Sequence, residues 1–383
     1  MSSRLTTSEF RTPLRVVLAA SRVAAFLAVV SLASTARADV FTIKLESDET
    51  VKVSARHAGS GQDALALEFS DGALQIIPAA ALVAREAKPD PTPVGHDELL
   101  QRLVTEFGAD RTITEVDKPF VIVLIRESNR PLDPMAERRF KAVVKKAGQF
   151  FKGMQNSFLE FVKQVRVETT PVKYPLPAVI FESDRQFDAY TVAATQGQAL
   201  SPQAISAFYD LLSNRLVIRL RECATFDTPL HEAVHQQVYN RGILQRLAPV
   251  PSWFNEGIAT GFEGDGERVR SGPKVVSDRY GRLALRARVV SWQEIVANDR
   301  TFQGDVLAAE AYGHAWGLHW LLVTKYRSEY NQLVRTFAAK KPLELDRPDE
   351  RLAEFEKIVG KSVDALQREF YNELPRAMAR RKN

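Results

Sequence analysis

One cysteine in 383 residues is the first constraint: Cys223 has no partner in its own chain, so an intramolecular disulfide and any cysteine-cluster metal site are excluded. With no base beside it in the local sequence, it reads as a buried thiol rather than a nucleophile. Long apolar runs are missing too. The longest candidate, Val23–Leu32, is too short to span a bilayer comfortably. It follows Arg4, Arg11, Arg15 and Arg22 and precedes Ala36-Arg37-Ala38, the pattern of a signal peptide cleaved after Ala38. A strongly basic surface is also lacking. Residues 1–38 hold five arginines and one glutamate, so their removal takes the net charge from +5 to +1. No nucleic-acid partner is expected, and the tail Arg376, Arg380, Arg381 and Lys382 reads as a solvated helix end, with cell-envelope association left open. The expectation is an exported protein, periplasmic or secreted, with no stable transmembrane span after cleavage.

Histidine is scarce at six residues, yet two of the six form His231-Glu232-Ala233-Val234-His235. Positions i and i+4 share a helix face, so both imidazoles can reach one ion, with a carboxylate beside the first to take a proton from water. Asp227-Thr228-Pro229 supplies a cap and a first-turn proline, Leu230, Val234 and Val238 supply the apolar face, and Gly242 is the stop. A catalytic zinc needs a third protein ligand. Glu256, in the first turns of a second helix begun after Pro249, Pro251 and Ser252, is the candidate.

With that spacing the chain resembles the gluzincin metallopeptidases, in which HExxH is followed some twenty residues later by a glutamate ligand. It is similar at closer range to the peptidase-MA-like exported bacterial proteins of unknown function, through His231–Gln236, Pro251–Ala259 and Tyr312-Gly313-His314-Ala315-Trp316. The similarity covers roughly Phe120 to Leu374. It implies one Zn2+ per chain held by His231, His235 and Glu256, Glu232 as general base, and a peptide or protein substrate. It also implies an oxyanion stabiliser from a later helix, for which Tyr312 is favoured over His314 and His319. Tyr312, Trp316 and Trp320 at i, i+4 and i+8 read first of all as an aromatic core stripe, with packing as the default. Thermolysin-like enzymes carry an acidic residue four positions after the glutamate ligand, where this chain has Thr260. Asn240 or Asp227 is therefore considered for orienting a ligand imidazole.

The expected fold class is α+β: a zincin-like domain with an active-site helix over 97–383, preceded by a small antiparallel β module over 39–84. The module's strands fall at 41–45, 51–53, 64–69 and 74–77, with Asp71-Gly72 as a hairpin turn. Residues 85–96 read as a proline-rich linker holding the module apart. Further elements are helices near 97–107, 134–156, 305–326 and 362–374, and strands at 120–125, 178–181 and 216–220. The last of these is expected to offer its edge to an extended peptide. Gly257, Gly261, Gly264, Gly266 and Gly272 suggest a mobile rim loop or, equally, ordinary surface turns. Exported peptide hydrolysis is the expectation; a non-catalytic, zinc-holding envelope scaffold is the alternative, against which Glu232 argues because metal binding needs no general base. In a third reading the β module itself carries the function.

Overall fold

The computed structural model describes residues 39–195, 205–264, 269–286, 290–302 and 308–382. The expected signal peptide and Gly266 lie outside these residues. Among the described residues no helix is long and apolar enough to cross a membrane.

The chain is α+β, as its sequence pattern requires. Its centre is a five-stranded sheet of β7 (Thr112–Asp117), β8 (Phe120–Ile125), β9 (Leu176–Phe181), β10 (Ala207–Asp210) and β11 (Arg215–Arg219), in the order β10-β11-β9-β8-β7. β8, β9 and β11 are parallel, and each outer strand pairs antiparallel. FVIVLI and LPAVIF are buried at every position because both faces of the inner strands are covered. Alternation sorts their side chains. Phe120, Ile122, Leu124, Ala178, Ile180, Leu216 and Ile218 pack on one face and Val121, Val123, Ile125, Val179, Phe181 and Val217 on the other.

The second face is covered by α1 (His96–Phe107) and α3 (Asp184–Ala194). The first carries α2 (Pro134–Val165) and α4 (Asp227–Asn240). Asp133 caps α2 by accepting from the backbone of Met135 and Ala136 at 2.8 and 2.9 Å, with Pro134 at the first position. Phe140, Val144, Ala147, Phe151, Met154, Phe158 and Val162 make the buried stripe that continues α2 past the expected residue 156. Burying one such phenylalanine contributes about 2–3 kcal/mol.

Beyond α4 the chain is helical: α5 (Ser252–Thr260), α6 (Asp278–Arg286), α7 (Trp292–Ala297), α8 (Ala308–Lys325), α9 (Arg327–Ala339), α10 (Pro348–Val359) and α11 (Val363–Lys382). α5 crosses α8 closely. A Cβ on Gly257 would lie 2.6 Å from the Ala315 carbonyl, so this glycine serves helix contact rather than the expected rim loop. Gly272, at φ +85°, sits against the Phe161 ring. Trp316 and Trp320, both buried, stack at 6.3 Å as the core reading requires.

The β module consists of two three-stranded antiparallel sheets, β2-β1-β6 and β3-β4-β5, formed by β1 (Val40–Lys44), β2 (Thr50–Ser54), β3 (Arg56–Ser60), β4 (Ala64–Glu68), β5 (Leu74–Pro78) and β6 (Leu82–Glu86). Phe41, Ile43, Val53, Leu67, Phe69 and Ile77 are its core. The linker does not hold it apart. Val94 is buried and its N–H donates to the Ser70 carbonyl at 2.8 Å, while Tyr174 of the main domain donates to Glu68 at 2.8 Å. A proline-rich segment spaces two units only when neither offers the other a matching surface, and here the buried Glu68, bonded to Tyr174 and paired with Arg246, supplies one.

Candidate metal centre

α4 begins without the expected side-chain cap: Phe226 occupies the cap position in the left-handed region at φ 56°, with Asp227 in the first turn. Gly242, at φ +71°, ends it as anticipated. Every residue from Pro229 to Val238 is buried, because α4 lies between the sheet, α2 and α5. Gln236 ties the helix down by donating to the carbonyls of Pro177 and Asn214, both at 3.1 Å. At the second helix, the Ser252 N–H of α5 donates to Asp299 at 2.7 Å, and the buried Arg351 holds Asp299 in turn. His319 on α8 donates from Nε2 to the Phe254 carbonyl at 2.9 Å. The two helices are thus fixed from independent directions.

They bring His231, His235 and Glu256 together as the single buried group of potential metal ligands among the described residues. His231 Nε2 lies 3.1 Å from Glu256 Oε2 and 3.0 Å from His235 Nε2, and His235 Nε2 lies 3.4 Å from the same carboxylate oxygen. A tetrahedral zinc at about 2.0–2.1 Å from each donor separates the donors by roughly 3.3 Å. The donor set therefore has the span the ion requires.

The chemistry of the donors agrees. Glu263 accepts from His231 Nδ1 at 2.9 Å, which places the proton of a neutral ring there and a lone pair on Nε2. That lone pair faces the Glu256 carboxylate and the second imidazole, an arrangement that is unfavourable unless a positive charge lies among them. Burial alone would lower the His231 pKa, but hydrogen bonds to Glu256 and Glu263 outweigh it and raise it well above 6.5. Burial would raise Glu256, yet His235 and His231 hold it far below the usual carboxylate range. In both cases the site calls for a cation. A metal ion would supply that cation; in its absence the raised His231 pKa favours a proton there, so metal uptake near pH 7 is expected to displace protons, with the release fading at higher pH. Calorimetric titration in buffers of different ionisation heat measures this; zinc uptake with no proton release at pH 7 would contradict it.

Glu263 is the site residue that sequence reasoning missed. It also accepts from Tyr280 Oη and lies 3.2 Å from Arg279 Nη1, so α6 holds the carboxylate that orients the His231 ring. Neither residue considered for that task performs it. Asn240 bonds instead to Asn214 and to the Gln236 carbonyl, Asp227 lies in the first turn of α4, and Thr260 donates back to the Glu256 carbonyl at 2.7 Å. A signal was present in the acid one turn past the end of α5, but the expectation was fixed on the fourth position after Glu256. Glu263→Gln is expected to weaken zinc binding about 10- to 100-fold while leaving the fold intact, as a chelator-competition titration reads. Unchanged affinity would make Glu263 a surface anchor only.

Glu232 projects toward the same centre. Its Oε2 accepts from the Tyr209 N–H at 2.9 Å, and Oε1 is buried with no hydrogen-bond partner. Burial raises its pKa, only partly offset by His231 and His235. Tyr209 belongs to β10, the edge strand. This corrects the expectation for Leu216–Leu220, since β11 is paired on both sides and has no edge to offer. Of the three candidates on α8, only Tyr312 is placed against the cluster, with its ring 6.0 Å from that of His231. His314 accepts from Trp292 Nε1 at 3.0 Å. His319 is committed at both nitrogens, to Phe254 and Tyr330, and burial lowers its pKa to about 3. Cys223 is a buried thiol that burial pushes up to about 12, too high for a nucleophile.

Residues 225–344 match the family described as "Protein of unknown function (DUF1570)". The matched segment begins just before α4 and carries Glu256, Glu263, Tyr280 and α8. No curated protein matches the chain.

Proposed function

We propose that the protein is a zinc-dependent peptidase of gluzincin type, with Glu232 as the residue that moves the proton. The observation that carries this reading is the convergence of three buried donor atoms within 3.4 Å of one another beside a fourth, unligated carboxylate. A site built only to hold metal has no use for that fourth group. His231, His235 and Glu256 would hold the ion. When bound, zinc would acidify a water molecule and polarise the scissile carbonyl.

The remaining chemistry falls to side chains. Tyr209 N–H pins one oxygen of Glu232, so the other, Oε1, is held at a defined position to accept the proton of the attacking water and pass it to the leaving amine. A pKa raised by burial suits a carboxylate that must both take and return a proton near neutrality. β10 would hold the substrate as an added extended strand. Tyr312 would donate to the developing oxyanion. Tyr312→Phe is expected to lower kcat by about 10- to 1000-fold with zinc content unchanged, and steady-state kinetics with an unaltered rate would return Tyr312 to packing alone. With the sequence features of residues 1–38, we place this activity outside the cytoplasm.

The test is incubation of the zinc-loaded protein with a mixed peptide library, followed by mass spectrometry. Cleavage that a chelator abolishes and zinc restores supports the reading. Intact peptides at every condition, with zinc bound, would leave a metal-holding scaffold.

A further inference from the structure

The β module has no part in the metal centre, yet it contacts the two segments that set the centre's geometry. The first is the turn after β10. Leu74 N–H, at the start of β5, donates to the Leu212 carbonyl at 2.6 Å. The same turn contains Asn214, fully buried at φ 61°, which accepts from Tyr209 Oη at 2.6 Å and exchanges amide bonds with Asn240 on the metal helix. The second is the loop between α4 and α5, where Arg246 sits ten residues before Glu256.

Arg246 joins all three units. Its Nη2 donates to the Gly72 carbonyl at 2.6 Å and to Glu68 Oε1 at 3.2 Å in the module, and Nη1 donates to the Leu211 carbonyl at 3.1 Å beside β10. Glu68 also accepts from Arg56 Nε at 2.8 Å and from Tyr174 Oη at 2.8 Å. Side chains of both Arg246 and Glu68 are only 9% exposed. Charges so buried contribute little net stability, because desolvation cancels most of their attraction. What a planar guanidinium spread over three acceptors, two in the module and one beside β10, fixes is distance and angle. Close packing adds to it: a Cβ on Gly72 would lie 2.7 Å from the Tyr174 ring, and one on Gly59 would lie 2.4 Å from the Pro342 carbonyl, next to Leu343, whose N–H donates to Leu247 at 2.9 Å.

We propose that the β module is a brace for the site, with Arg246 as its positioning residue. By docking on the turn after β10 and on the loop joining the two metal-ligand helices, it keeps the Tyr209 N–H in register with Glu232. The kinetic consequence rests on the hydrolytic reading; the structural one does not.

The test uses the full chain loaded with zinc. Arg246→Gln removes the bridge but leaves Glu68 paired with Arg56 and Tyr174, and Gly72→Ala, at φ +82° and against the Tyr174 ring, displaces the module while every residue of the main domain keeps its identity. Lys52→Ala, exposed on β2, is the control. Hydrogen exchange in segments 205–213 and 241–250 is expected to quicken about tenfold or more in both variants and to stay unchanged in the control. Arg246→Lys, which keeps the charge but not the fork, is expected to fall between. Where peptide cleavage is present, kcat falls roughly 10- to 100-fold with a smaller change in KM and an unchanged zinc stoichiometry. Wild-type exchange rates in both segments, in whichever of the two variants folds, would overturn the brace. Variants that show the exchange response beside a wild-type chain that cleaves nothing would instead overturn the peptidase reading and leave the brace standing.

Discussion

Glu232→Gln is expected to retain zinc and lose hydrolysis, with kcat falling about 100- to 10,000-fold. The substitution is nearly isosteric, and a glutamine oxygen can accept the Tyr209 N–H as the carboxylate does at 2.9 Å. β10 and α4 therefore stay in place. His231, His235 and Glu256 are untouched, so metal affinity changes little. What disappears is the basic oxygen, because an amide neither takes a proton from water nor returns it to an amine. Kinetics and elemental analysis on the same preparation measure the two effects together. An active Glu232→Gln protein would refute the mechanism, whereas loss of zinc would show that Glu232 is a ligand instead.

Glu256→Ala is expected to have the second large effect, on the metal itself. Glu256 supplies the only negative charge among the three donors and the oxygen that faces both imidazoles, at 3.1 and 3.4 Å. Removing a partner behind a ligand typically costs 10- to 100-fold in affinity, so loss of the ligand itself should cost more than about a hundredfold. Zinc binding would also stabilise the native chain by mass action, which gives an independent readout. The wild type should melt at a higher temperature when zinc is added, and Glu256→Ala should show no such shift. A zinc-dependent shift of wild-type size in the variant would place the ion elsewhere.

Much of this architecture was legible because it obeys simple periodicities. FVIVLI and VKVSA-type alternation mark strands, the i, i+4 histidines mark a helix face, and the Pro249–Ser252 break marks the start of the glutamate helix. What escaped depends on tertiary structure. β10 has only four residues, and its role as edge strand follows from pairing order rather than from local pattern. Glu263 became the partner of His231 because α6 brings Tyr280 and Arg279 to it, a contact no local spacing encodes. Residues 85–96 have the composition of a spacer, but composition says nothing of Tyr174 and Arg246, which dock the module through Glu68. The three aromatic and histidine candidates on α8 were separable only once Trp292, Phe254 and Tyr330 were seen to occupy His314 and His319.

The most direct test of the central claim is metal content by elemental analysis of the purified protein, wild type beside His235→Ala, after equilibration with zinc and removal of the free ion. The account predicts about one zinc per chain in the wild type and almost none in the variant, since the remaining imidazole and carboxylate cannot complete a three-ligand site. A wild-type chain that takes up no zinc, or a variant that holds as much as the wild type, would contradict the assignment of His231, His235 and Glu256 as a metal centre.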